Sequence, residues 1–405
     1  MLEKFLKVNS TIIVTGITSL LTNFIGYIFF ILLRSLTEVE FERFNLGLSF
    51  FYIIFVSAAS LERFLSIKLA RLKNDESIGE LSQSTIIFAF LFLLFFSILS
   101  IPANKFYALK SDILIFMNIA IFIIFANSLL RAVLYNKDKY MLSSISMIIE
   151  AVFRVIVLYI FLFLLRSKAD IELVTLTPYI IGNIVALLFL IFVTYRSKIN
   201  IFSKGSGSKL IVKQILKQTF VQFLLSIFFT LDYPLAKNVL KSLEIPYYNG
   251  AMTIMKFVIL FLIGISYPIL FEKEEKLDST TKKILLFTVA ILTGFTVTTS
   301  VLPKLVFSLT IGLKYYKPFT LLLFSFYVLV NFIFYIFVQY LIKHKRNVKL
   351  LLVIYPLVFI SMQFFTNINI YNYVLFLSLG IFLVDIILIM GYNPISLIFY
   401  KNEKC

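Results

Sequence analysis

Apolar runs long enough to cross about 30 Å of hydrocarbon recur along the whole chain, and this recurrence leaves few architectures open. In lipid every backbone N–H and C=O must be satisfied from within, so long apolar runs specify helices. Twelve such runs fall at roughly 11–33, 44–61, 84–101, 113–134, 141–165, 174–194, 218–240, 247–271, 284–306, 319–342, 349–366 and 371–391. A 60% hydrophobic composition and a mean hydropathy of +0.97 lie outside the range of soluble domains. The expectation is an all-α polytopic membrane protein of about 12 transmembrane helices in two six-helix bundles, 1–195 and 218–405. A basic cytoplasmic linker, 196–217, joins them.

Charge sets the expected orientation. The net charge is +17, which in a soluble protein would suggest nucleic acid, but here the basic residues sit between apolar runs. If the N-terminus is cytoplasmic, the loops on that side hold more than twice the Lys and Arg of the opposite loops. Both termini are therefore expected on the cytoplasmic side of the membrane. Membrane lipids, with their anionic headgroups, are natural partners, and nucleic acid is not.

The N-terminal segment carries Glu3, Lys4 and Lys7 ahead of a run too long for a signal peptide, so it is expected to be retained. One cysteine, Cys405, and one histidine, His344, leave no basis for an internal disulfide or a Cys/His metal site. The linker contains Gly205-Ser206-Gly207-Ser208 but lacks the Gly-Lys-Ser/Thr ending of a nucleotide loop. No cofactor is expected.

The halves echo each other. Leu33-Arg34-Ser35-Leu36 with Asn45-Leu46-Gly47 follows the first run; Leu240-Lys241-Ser242-Leu243 with Tyr248-Asn249-Gly250 follows the seventh. Both hairpins start on the same side, which suits a parallel repeat about the membrane normal.

Charges within apolar runs are functional candidates by default. Asp232 lies eight residues before Leu240, and Lys256 nine after Tyr247. At about 1.5 Å per residue both sit about 12 to 14 Å below one face, where they can meet. A structural bridge and a transport site are both open readings. Pro234, two residues after Asp232, gives the seventh run a bend point, and Gly264 and Pro268 do the same in the eighth.

Glu150 and Arg154 share a helix face at i, i+4 and pair, either as structure or as part of a pathway. Arg131 and the Glu62-Arg63 pair fall near helix ends, where snorkelling accounts for them. Asp385, without an obvious partner, reads as an interfacial acid or as a proton or cation site. Uncharged polar positions that could line a path are Asn23, Thr22, Asn127, Gln222 and the threonines 293, 296, 298 and 299, though most hydroxyls in such helices bond to their own backbone. Tyrosines at run ends, including Tyr248, Tyr315 and Tyr373, suit an aromatic belt.

The stretch Phe229 to Lys237, then Leu240, Tyr248-Asn249-Gly250-Ala251 and Lys256, resembles the polysaccharide-biosynthesis (O-antigen, capsule) flippases of the multidrug/oligosaccharidyl-lipid/polysaccharide (MOP) exporter superfamily. The hairpin from Leu20 to Ala70 is similar to that family's opening. Asn249 departs from the pattern, in which glycine more often precedes tyrosine.

The resemblance implies a MATE-like pair of bundles in the cytoplasmic membrane, around a central cavity with a site that the halves close over by rocking. It implies as substrate a polyprenyl-pyrophosphate-linked oligosaccharide, moved from the inner to the outer leaflet and driven by an ion gradient or by removal of the product. Lys256, Arg154, Arg34 and Arg131 would meet the pyrophosphate, and a polysaccharide polymerase and a chain-length regulator would be protein partners. A multidrug or organic-cation exporter of the same superfamily is the alternative. A membrane-embedded glycan transferase or polymerase ranks below both, since no interfacial histidine or long outer loop is present.

Overall fold

The structure, a computed structural model, describes residues 18, 21–22, 24–71, 76–107, 111–137, 139–165, 171–199, 209–225, 231–271, 274–344, 346 and 348–392. The chain divides into two compact units, Met1–Ser226 and Ile227–Cys405. The division falls inside the expected seventh span.

The first unit contains α1 (Phe24–Ser35), α2 (Glu38–Arg71), α3 (Glu76–Tyr107), α4 (Ser111–Asn136), α5 (Tyr140–Ile160, closed by a π-turn over Phe161–Leu165), α6 (Ile171–Arg196) and α7 (Lys209–Leu225). The second contains α8 (Asp232–Val239), α9 (Ile245–Phe271), α10 (Glu274–Val301), α11 (Pro303–Leu309), α12 (Thr320–Lys343), α13 (Lys349–Ser361) and α14 (Ile370–Tyr392). The described residues form no strand beyond an isolated bridge between Leu240 and Ile368.

Among the described residues, eight helices are long and apolar enough to cross a membrane, and they match the expected second to sixth, ninth, tenth and twelfth spans. Shorter apolar helices, Phe24–Ser35 and Leu350–Phe364, stand for the first and eleventh. The eighth is α9, and α7 with α8 flanks 226–230 in the seventh. The chain is a multi-pass, all-helical membrane protein.

Local chemistry explains several boundaries. Thr37 and Glu40 form a reciprocal capping box, with Thr37 N–H donating to Glu40 Oε2 at 2.7 Å and Glu40 N–H to Thr37 Oγ1 at 3.3 Å, and α2 starts there. Asn369 Oδ1 accepts from Asn372 N–H at 2.8 Å and caps α14.

In the seventh span a helix starts at Asp232, with Pro234 in its first turn, where a missing N–H costs nothing. The proline expected to bend a continuous helix therefore stands where one begins. The helix α9 runs on through Gly264 and Pro268.

In the first unit α3 shows how a Phe-rich run divides its labour. Phe88, Phe92 and Phe96 are buried, and Phe88 stacks on Phe125 at 5.3 Å between centroids. Phe90 and Phe95, on the other face, are exposed, as lipid contact requires.

The helices α5 and α6 approach where Gly182 lies against α5. A Cβ at Gly182 would stand 2.7 Å from the carbonyl oxygen of Glu150, so only glycine admits this approach. In the second unit Tyr248, Tyr315 and Tyr373 are core residues, at most 1% exposed, rather than members of an interfacial belt.

Candidate functional site

Each unit buries its own polar centre. In the first, α5 carries Ser146, Glu150 and Arg154 at successive i, i+4 positions, one polar stripe on a mainly apolar helix. Glu150 Oε2 accepts from Arg131 Nη2 on α4 at 2.8 Å, and Glu150 Oε1 accepts from Arg154 Nη2 and, at 3.2 Å, from Asn183 Nδ2 on α6.

Arg131 Nε also donates to Ser146 Oγ at 2.9 Å. Asn127, one turn before Arg131, donates to Asn183 Oδ1 at 3.0 Å and to its backbone carbonyl at 2.9 Å. Three helices are thereby stitched through one carboxylate. The Arg154 guanidinium lies 4.3 Å from the Tyr179 ring centroid and 5.8 Å from that of Phe55, within cation–π range. Glu62 on α2 acts electrostatically on Arg131 and Glu150 and belongs to the same centre.

This corrects the snorkelling reading of Arg131. It is 8% exposed and ion-paired at the centre of the unit. Apolar flanking residues made its helix end look interfacial, while its partner lay on another helix, beyond what one helix's spacing can show.

The second unit's centre has different chemistry. Asp232, fully buried, accepts a 2.9 Å hydrogen bond from Tyr327 Oη on α12. Asn331, one turn further along α12, donates to the Tyr327 carbonyl at 2.7 Å and accepts from Tyr355 Oη on α13 at 2.6 Å. Lys256 on α9 is 5% exposed, and it and Asp232 act on each other electrostatically. The two charges expected to meet thus share one buried region, with a tyrosine hydroxyl bonded to the carboxylate.

Asp385 on α14 is 2% exposed, and neither of its carboxyl oxygens has a hydrogen-bond partner among the described residues. Tyr355 acts electrostatically with both Asp385 and Asp232.

One end of this unit is held by a polar seam. Lys317 Nζ pairs with Glu244 Oε2 at 2.5 Å and lies 4.8 Å from the Tyr371 ring centroid. Tyr371 Oη donates to the Pro318 carbonyl at 2.8 Å. Ile368 N–H donates to the Val239 carbonyl at 3.2 Å, and its carbonyl accepts from Lys241 N–H at 3.1 Å.

Of the expected site residues, Glu150, Arg154 and Arg131 come together in the first unit, and Asp232 and Lys256 in the second, where Asp385 is buried without a hydrogen-bond partner among the described residues. Arg34 is exposed in the closing turn of α1 and stays outside the buried centre. Asn23 lies outside the described residues. Thr298 and Thr299 bond to the carbonyls of Gly294 and Thr296 on their own helix.

Sequence reasoning missed Asn183, Tyr327, Asn331 and Tyr355. Three of these had a signal: Tyr179/Asn183 and Tyr327/Asn331 are polar i, i+4 pairs in apolar helices, like the Glu150/Arg154 pair that was recognised.

No protein-family profile and no curated sequence matches the chain. Solved structures do match in shape. One is described as an inward-facing conformation of a multidrug resistance MATE family transporter of the MOP superfamily, with 14% identity, a TM-score of 0.67, and 96% of this chain and 99% of that one covered. The outward-facing conformation matches at 15% identity with a TM-score of 0.68, over 96% of each chain.

A MOP superfamily transporter from Pyrococcus furiosus, described as having a binding pocket of reverse polarity that suggests a different function, matches at 14% identity with a TM-score of 0.69, again over 96% of each. At these identities the likeness speaks for the fold. The chain has the fold of the MATE transporters of the MOP superfamily.

Proposed function

We propose that the protein is a secondary transporter that moves polyprenyl-pyrophosphate-linked oligosaccharide from the inner to the outer leaflet of the cytoplasmic membrane, for surface polysaccharide assembly. The observation that carries this reading is the cationic excess in the first unit. Arg131 and Arg154 share one ion-paired carboxylate, and the Arg154 side chain is 20% exposed while that of Glu150 is 10% exposed. With Glu62 and Arg63 counted, basic groups still outnumber acidic ones. Guanidinium forks suit pyrophosphate oxygens, and a ring-stacked arginine is already oriented. Lys256 is a buried cation of the second unit.

The transporter fold supports export as such. Its occurrence with binding pockets of different polarity is consistent with an anionic cargo, because function follows the site and not the fold.

A second reading, export of organic cations, is favoured by the buried acids Asp232 and Asp385 of the second unit and by the fold shared with multidrug MATE transporters. Proteoliposomes loaded with a fluorescent polyprenyl-pyrophosphate sugar in one leaflet, and separately with ethidium, discriminate the two. Flipping is expected in the wild type. It should fall at least about tenfold, or ~1.4 kcal/mol, in Arg154→Gln and in Lys256→Ala, with protein level and insertion unchanged. Ethidium transport without flipping selects the second reading.

A further inference from the structure

Where α6 ends, the first unit gathers cations. Arg196 closes the helix, and the turn after it brings Ile199 N–H to the Thr194 carbonyl at 3.2 Å and Lys198 N–H to the Tyr195 carbonyl at 3.0 Å. Such a closure places one residue in the left-handed region, and Lys198 takes that place at φ 53°. Glycine would fill it without strain. The lysine accepts the strain and adds a charge.

Lys139, in the turn between α4 and α5, donates from Nζ to Ser197 Oγ at 2.6 Å, so a third cation is fixed at the residue that separates Arg196 from Lys198. Among the described residues no ion pair reaches these three. The sequence around them offers little to neutralise them: 136–139 and 195–217 together hold eight basic residues and one acid, Asp138.

Tyr195, Arg196, Lys198 and Ile199 line an open cleft of about 520 Å³, within the size range of small-molecule sites. Ile199 packs on the apolar cluster of Leu130, Leu134, Leu190 and Val193, which anchors that side of the cleft to the bundle.

The approach to the cleft says what fills it. Leu188, Ile191, Phe192 and Tyr195 recur at three- and four-residue spacing on one face of α6, and all are exposed. The stripe ends at the cleft with the Tyr195 ring, 84% exposed at the end of a span, as an interfacial tyrosine stands. A ligand that uses both features has an anionic head and an apolar body. We infer that the cleft is a headgroup site for an anionic phospholipid, whose phosphodiester lies against Arg196, Lys198 and Lys139 while an acyl chain follows Leu188, Ile191 and Phe192.

The guanidinium fork of Arg196 suits phosphate oxygens, and basic pockets beside membrane helices favour such heads. None of these residues belongs to the Glu150 centre, and the assignment does not rest on the transport reading.

Native mass spectrometry of the purified full-length protein, titrated with phosphatidylglycerol and separately with phosphatidylcholine, tests it. The wild type should retain phosphatidylglycerol at least about fivefold more tightly, the scale of one basic residue at a charged membrane surface. The double variant Arg196→Gln, Lys198→Gly should lose that preference with Tm in detergent unchanged, because glycine suits the left-handed turn. The double variant Lys282→Gln, Lys283→Gln in α10 should keep it. Phosphatidylglycerol carrying a diazirine on its acyl chain should mark α6 within 188–195 in the wild type, with no variant required.

Equal retention of the two lipids overturns the proposal. So does full preference in the Arg196 and Lys198 variant, or an equal loss in the Lys282 and Lys283 variant, which would make the preference one of overall charge. Displacement of the lipid by inorganic phosphate at constant ionic strength would make the cleft a free-phosphate site and overturns it too.

Discussion

The two units solve the same problem, a carboxylate in lipid, in opposite ways. Glu150 is surrounded: two guanidiniums and an amide from three helices meet it, and insertion costs of about 2.5 to 3.5 kcal/mol per isolated charge are offset within the cluster. Asp232 has a tyrosine hydroxyl, and Asp385 has no donor among the described residues. A saturated centre holds its charges in place, with Arg154 also laid over the Tyr179 ring. An under-saturated one leaves carboxyl oxygens without a hydrogen-bond partner among the described residues.

The comparison is most strongly challenged at Glu150. Glu150→Ala leaves two buried guanidiniums facing each other and should lower unfolding stability by about 3 to 5 kcal/mol, read as a large drop in Tm in detergent. A small drop would mean that the first unit's centre is not saturated.

Gly182→Ala pushes α6 off the Glu150 carbonyl and should cost about 1 to 3 kcal/mol by overpacking; unchanged Tm would show that the helices part freely. Tyr327→Phe removes the hydrogen bond to Asp232 and should cost about 1 kcal/mol, the scale of polar contacts between membrane helices.

Asp385→Leu should be close to neutral or slightly stabilising, since no partner is orphaned and a buried acid is removed. A loss of more than about 2 kcal/mol would reveal a partner and erase the contrast. The double variant Asp232→Asn, Lys256→Gln separates two roles of that pair: normal flipping with normal stability makes it structural, and loss of flipping makes it functional.

Much of this was legible in the sequence because it is local. Run length and polarity anticipated the eight helices of membrane-crossing length among the described residues, and i, i+4 spacing identified Glu150 with Arg154. What the sequence concealed is relational. Arg131 looked like a snorkelling residue because its partner is on a different helix. The tyrosines 248, 315 and 373 looked like a belt because position near a run end does not say which way a ring faces. Gly182 and Gly380 were passed over, since a glycine in an apolar run reveals a close approach only when the neighbouring helix is in view.

The seam at Ile368 also bears on biogenesis. Its two backbone hydrogen bonds reach Val239 and Lys241, so the turn that opens the second unit is completed by residues synthesised well over a hundred positions later. Because pairing across such separations waits for the later segment, this half cannot finish assembling while its last span is still on the ribosome. Until then Asp232 must be sheltered by the insertion machinery or by early packing against Tyr327. Truncation before Ile368 should therefore leave a half that inserts but remains open to quality-control proteolysis.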